Sequence, residues 1–171
     1  MNAVKGVDEN NALYARLYFS AGDFSYARFC ALHLIKKGWH SAPYERRGTV
    51  YLQQSAFTTA LIVSYARPFT RSKGWPMFPE HLVQYGAQET TLHQRLIQLR
   101  HQVYAHSDSE YYSIRPVKIG VSVIGDIIGE PFLMLKRDEC ESVVSMVDGI
   151  RKRLHPELVR LKQELLTQSN T

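Results

Sequence analysis

Residues 49–65, TVYLQQSAFTTALIVSY, decide the fold class. Val50, Phe57, Leu61 and Tyr65 recur at spacings of seven, four and four, and no charged residue interrupts the run. That period predicts an α-helix, the most apolar of the chain and its expected central core helix. Arg67-Pro68 should end it, because the residue before a proline is pushed out of the α region. The longest apolar stretch, 56–66, is too short and too broken by Thr and Ser to span a bilayer, so no membrane partner is expected.

Upstream of this helix, 38–48 is a loop containing Pro43. Before it the pattern over 12–37 is helical. Leu13 and Leu17, and Tyr14 and Tyr18, stand at i, i+4 spacing, and Tyr26, Phe29, Cys30, His33 and Leu34 fall on helix-spaced positions. Gly22-Asp23 offers a stop and a new N-cap, so 12–37 is either two helices or one long helix bent at Gly22. Lys36-Lys37-Gly38 supplies cations for a last turn and a glycine just past it. Residues 1–11 are expected as a polar lead-in.

Downstream, 70–78 (TRSKGWPMF) is a basic, aromatic loop, and a short helix is expected around 79–85. The next helix runs from about Gln88 to Tyr104 on the stripe Leu92, Leu96, Leu99, Val103. The period then changes. Ile-, Val- and Tyr-rich segments within 111–135, punctuated by Gly-Asp and Gly-Glu-Pro, predict a small antiparallel β-hairpin or meander. Arg137 opens a final helix to about Leu166, which Pro156 kinks or splits.

The expected fold is therefore mainly α: four to five helices near 12–37, 49–66, 88–105 and 138–166, with the β element before the C-terminal helix. One domain, 1–166, and a disordered tail, 167–171, complete the expectation. With 171 residues, 44% hydrophobic and 22% charged, the chain can bury a single core and is not disordered in composition. Lys and Arg outnumber Asp and Glu by 21 to 16. That excess suits an anionic partner such as RNA, DNA or a nucleotide, and equally suits plain solubility. Cys30 and Cys140 sit in no CxxC or Cys/His cluster and are expected as small buried hydrophobes in a reducing compartment. The opening MNAVKGVDENN lacks the apolar core of a signal peptide, so a cytoplasmic location is expected. No P-loop, GxSxG or dinucleotide glycine pattern is present, and no cofactor or metal-ligand set is signalled.

The chemistry concentrates in residues 99–108, LRHQVYAHSD. Arg100, His101 and His106 stand near a helix end, with Asp108 beyond. Histidine gives and takes a proton near pH 7, and arginine holds phosphate oxygens through two parallel N–H donors. Such a pair, converging on one phosphodiester, can cleave RNA without a metal. The histidine would deprotonate the ribose 2′-OH or protonate the leaving oxygen, and the arginine would stabilise charge on the phosphorane. On a regular helix, however, a six-residue separation leaves Arg100 and His106 about 120° apart. They share a site only if the helix loosens before His106 or two copies of the helix meet. Otherwise His106, seven residues after Leu99, packs under the helix end. A second face of the same helix carries His93, Ile97, Arg100 and Tyr104.

The run from Leu99 to Asp108 resembles the signature of HEPN domains, small helical domains of prokaryotic toxin–antitoxin, phage-defence and RNA-processing systems. Their pattern is an Arg, usually followed by a polar residue, then a His after four to six positions. Here five residues intervene and His101 takes the polar place. The ending Val-Tyr-Ala-His-Ser-Asp is similar to the branch written RDKxxAHxD, and Ser64-Tyr65-Ala66-Arg67-Pro68-Phe69 is similar to a segment accompanying it. The resemblance implies that Arg100 and His106 are the catalytic pair with His101 auxiliary, that two copies form a homodimer sharing one cleft, and that RNA cleavage needs no metal. It also admits a cognate antitoxin or other protein partner. Two departures stand out: His rather than Asn or Asp after the Arg, and the β element at 111–135, which the minimal family core lacks.

Arg67, Arg71 and Lys73, beside Phe69 and Trp75, mix cations with stacking surfaces as single-stranded RNA binding requires. With Tyr104 they are the candidate RNA contacts. The alternative is a solvated loop with buried aromatics. Arg151, Lys152, Arg153, Arg160 and Lys162 are expected on a solvated helix face. Three functions are compatible with this pattern: a metal-independent ribonuclease, acting as a toxin or phage-defence effector; a catalytically silent module binding RNA, a nucleotide or a protein; and a helical dimer in which His106 is structural.

Overall fold

In the computed structural model, residues 2–42, 45, 48–101, 113–119, 122–129 and 134–168 are described, with 2–8 and the two strand segments as backbone. Helix α1 spans Asn2–Lys37, α2 Thr49–Ala66, α3 Ala87–Leu99 and α4 Arg137–Gln168. The fold is mainly helical. Between α3 and α4 the backbone of β1 (Ser113–Ile119) runs antiparallel to β2 (Ser122–Gly129), with Ser113 opposite Gly129 and a register shift between Val117 and Lys118.

Helix α1, not α2, is the centre of the bundle, packing along both α4 and α2. Leu17, Phe24, Ala27, Ala31 and Leu34 are fully buried on its inner face. Ala27 and Ala31 are the small residues of that face. The expectation for α2 fails in its first half. Leu52 is exposed, Val50 and Phe57 are half-buried, and the inward positions are Gln54 and Thr58. Gln54 is tolerated there because both ends of its amide are used: Oε1 accepts from the Ser41 N–H at 3.2 Å and Nε2 donates to the Ser41 carbonyl at 2.8 Å. The second half, Leu61, Ile62 and Tyr65, enters the core as expected.

Three boundaries differ from the sequence expectation. First, α1 begins at Asn2 rather than after a polar lead-in; the Asn10 amide meets Glu164 at 3.5 Å, tying its early turns to the end of α4. Second, Gly22-Asp23 neither breaks nor caps α1. A mid-helix glycine costs roughly 0.5–1 kcal/mol, less than the burial of Leu17 and Phe24 on either side returns. Asp23 instead accepts from Arg67 Nη1 at 2.6 Å. Third, α4 runs unbroken through Pro156 and on to Gln168, beyond the expected start of a tail. Leu154 and Leu161, buried on either side of the proline, anchor both halves.

The α1 C-terminus is as the Lys-Lys-Gly pattern predicts. Gly38 adopts φ +61°, its N–H bonds the Ile35 carbonyl at 3.1 Å, and the Trp39 N–H bonds the Leu34 carbonyl at 3.1 Å. That is a Schellman closure, with Trp39 against His33 as its apolar contact. The buried side chains form one cluster to which all four helices contribute. Cys30 and Cys140 are free thiols within it; burial pushes the Cys30 pKa up and that of Cys140 to about 12. Among the described residues, no helix is long and apolar enough to cross a membrane.

Candidate functional site

Arg100 closes α3. Glu89 starts that helix by accepting from the Gly86 N–H at 3.1 Å, and Leu92 and Leu96 bury its inner stripe. At the other end the Arg100 N–H is shared between the Leu96 and Ile97 carbonyls, and Arg100–His101 form a π-type turn. A π turn adds a residue to the helical repeat. Arg100 Nη1 lies 3.3 Å from Nδ1 of exposed His101. His106, Tyr104 and Asp108 lie outside the described residues.

Arg100 is chemically distinct from most surface arginines. Arg67 pairs with Asp23, Arg95 with Glu139, Arg137 with Glu141, and Arg160 with Glu157 and Glu164. Arg151 approaches Asp148, and Arg153 donates to the Leu82 carbonyl at 2.8 Å. Arg151, Lys152, Arg160 and Lys162 are thus exposed as expected of a solvated face, whereas Arg153 is half-buried and turns inward against Leu82. Among the described residues, Arg100 meets no carboxylate.

The face His93–Ile97–Arg100 looks onto the 67–83 segment. Phe69, Met77, Phe78 and Val83 from that segment and His93 and Ile97 from α3 line a cavity of about 460 Å³, with Glu80 at its rim. Arg100 follows Ile97 by three residues, on the same side of the helix. The segment is held by Arg16, a buried guanidinium on α1 whose Nη2 donates to the Pro68 carbonyl at 2.5 Å and the Thr70 carbonyl at 3.0 Å. Phe69 and Phe78 pack on Phe24, so the loop is anchored from inside.

Of the sequence candidates in this loop, Arg67 is engaged by Asp23, whose pKa burial raises and Arg67 opposes. Arg71 and Lys73 are exposed, and Trp75 stays 38% exposed while meeting Phe19 edge-on at 5.6 Å. The loop is thus aromatic inside and cationic outside.

Sequence reasoning passed over Arg16, Gln54 and Tyr85, and did not bring Tyr65 and His93 together. Tyr65 Oη lies 2.9 Å from Tyr85 Oη and 2.9 Å from His93 Nδ1. Burial lowers the His93 pKa, raises that of Tyr65 and pushes that of Tyr85 up to about 12. Tyr65 gave a signal as a core position of the apolar helix, and His93 by its place on the face with Ile97 and Arg100. The chain matches no family model, no curated protein and no solved structure.

Proposed function

We propose that this chain is a metal-independent endoribonuclease of HEPN type, a toxin or phage-defence effector acting in the cytoplasm, with Arg100 and His106 as its catalytic pair. The observation that supports the proposal is Arg100 at the end of α3, 3.3 Å from the His101 imidazole and held by no carboxylate among the described residues. π turns recur at functional sites, and in this reading His106 meets the phosphate that Arg100 holds where two copies of the motif helix share one cleft.

In the proposed reaction His106 takes the proton of the ribose 2′-OH, O2′ forms a bond to phosphorus, and the bond to the 5′-oxygen breaks. The products are a 2′,3′-cyclic phosphate and a free 5′-hydroxyl, the leaving oxygen taking up a proton. Arg100 stabilises the charge that builds on the phosphorane. His101, against Arg100, positions the guanidinium. Arg71, Lys73, Trp75 and Tyr104 contact the strand. The domain is a HEPN-like bundle with a β-hairpin between α3 and α4, working as a homodimer whose motif helices share one cleft and controlled by an antitoxin or other protein partner.

The test is cleavage of single-stranded RNA in excess EDTA, comparing wild type with His106→Ala. Wild type should release 2′,3′-cyclic phosphate ends. The variant should lose about 10²–10⁴ in rate while keeping its fold and most of its RNA affinity. RNA bound but uncut by wild type favours the silent binding module. No cleavage together with unfolding of His106→Ala makes the histidine structural.

A further inference from the structure

We propose that the outer face of α1 is a two-fold interface that docks a second copy of this chain. Helix α1 is apolar on two sides. Opposite the core stripe, Tyr18, Phe19, Tyr26 and Phe29 remain 60%, 61%, 67% and 59% exposed, and Leu32 is exposed beside them. Aromatic side chains bury about 150–250 Å² each when covered, so these four rings leave on the order of 500 Å² open. That equals the largest patch of an ordinary monomer, which is often a binding surface. Doubled across a two-fold and extended by Ala15, Ser25 and Leu32, it reaches the roughly 1,200 Å² at which specific interfaces begin.

The pattern along the stripe identifies the occupant. Gly22 lies at its middle, exposed, with open space around the position of a Cβ. In an antiparallel helix pair crossing at Gly22, a residue k places after it faces the residue k places before it in the mate, and both contacts occur twice. Tyr26 then meets Tyr18, Phe29 meets Ala15, and Phe19 meets Ser25. Rings meet a ring or a small residue, the alternation that lets two surfaces interdigitate. Glu9 comes within a turn of Lys36 of the mate, adding a charge pair at each end. A random partner would not require a sequence complementary to its own reverse.

This interface lies on α1 and not at the end of α3, and it touches the proposed RNA surface only at its edge, where Phe19 meets Trp75; the glutamate substitutions are therefore placed at Tyr26 and Phe29. Two experiments test it. In sedimentation across a concentration series, wild type should associate, and Tyr26→Glu/Phe29→Glu should weaken that association by about 100-fold or more, as loss of central aromatic contacts does. Both substituted sites are exposed, and unchanged circular dichroism checks the fold. Under mild oxidation Gly22→Cys should form a disulfide with its own mate, since a small residue at the crossing brings Cα atoms near the ~4.4–6.8 Å a disulfide needs; Leu52→Cys, exposed on α2, is the control. The native thiols are buried and should stay silent. A monomeric wild type, an unchanged mass in the double variant, or no more crosslinking at Gly22→Cys than at Leu52→Cys overturns the proposal. A dimer held by the motif helices alone gives the second and third of these results.

Discussion

The Tyr65 hydroxyl stands 2.9 Å from Nδ1 of His93, and the same oxygen meets the Tyr85 hydroxyl at 2.9 Å. One buried oxygen thus joins α2, α3 and the segment between them. Tyr65→Phe removes it while keeping the ring that packs on Phe24 and Phe69. Two half-buried polar groups, Tyr85 and His93, each lose a partner, at a cost of about 1 kcal/mol or somewhat more. Thermal denaturation should show the melting temperature falling by several degrees.

The same contact sets a pH dependence. Burial holds the folded His93 pKa below its ordinary value of 6.5. Above pH 6.5 the imidazole is neutral in both folded and unfolded chains, and its contribution to stability is complete. As pH falls below 6.5 the unfolded chain takes up a proton that the folded chain resists, so stability declines down through the folded pKa. His93→Asn keeps a hydrogen-bonding group near Nδ1 but cannot titrate. Denaturant unfolding at neutral and mildly acidic pH should show a shallower loss in this variant than in wild type.

Arg16 ties α1 to the cationic loop through the Pro68 and Thr70 carbonyls. Arg16→Met keeps most of the buried stem and removes the donors. Charge-assisted hydrogen bonds are worth about 1.5–3 kcal/mol each, though removing the cost of burying a charge offsets part of that loss. The sharper readout is local: amide hydrogen exchange over 67–78 should quicken more than in the α1–α4 interface. Equal protection in both proteins would mean that Phe69 and Phe78 hold the loop unaided.

If the loop carries RNA, its cations should differ in effect. Arg71 and Lys73 are exposed and unpaired among the described residues, whereas Arg67 bonds Asp23. Arg71→Ala and Lys73→Ala should each reduce the slope of log affinity against log salt by about 0.7, the value of one phosphate contact on a single strand. Arg67→Ala should change that slope less, since its charge is already compensated. A larger effect from Arg67→Ala would show that the Asp23 pair opens on binding.

The sequence by itself determined the helical class, the core positions of Leu61, Tyr65, Leu92 and Leu96, and the glycine closure at Gly38. Each rests on local physics: a 3.6-residue apolar period, or a backbone angle that only glycine adopts freely. It also singled out Arg100 and His101, because an arginine that can hold a phosphate stands beside an imidazole that can move a proton. Tertiary structure alone decided what inward positions tolerate and which face meets which partner. Gln54 is buried because Ser41, thirteen residues away, satisfies both ends of its amide. Arg16 is buried because carbonyls some fifty residues away accept its protons. Tyr26 and Phe29 share a helix with Phe24, yet only Phe24 enters the core. Periodicity identifies apolar faces, but α1 has two of them. The packing of α2 and α4 chose one and left the other in solvent, because a helix in a bundle of this size can bury only the side its neighbours reach.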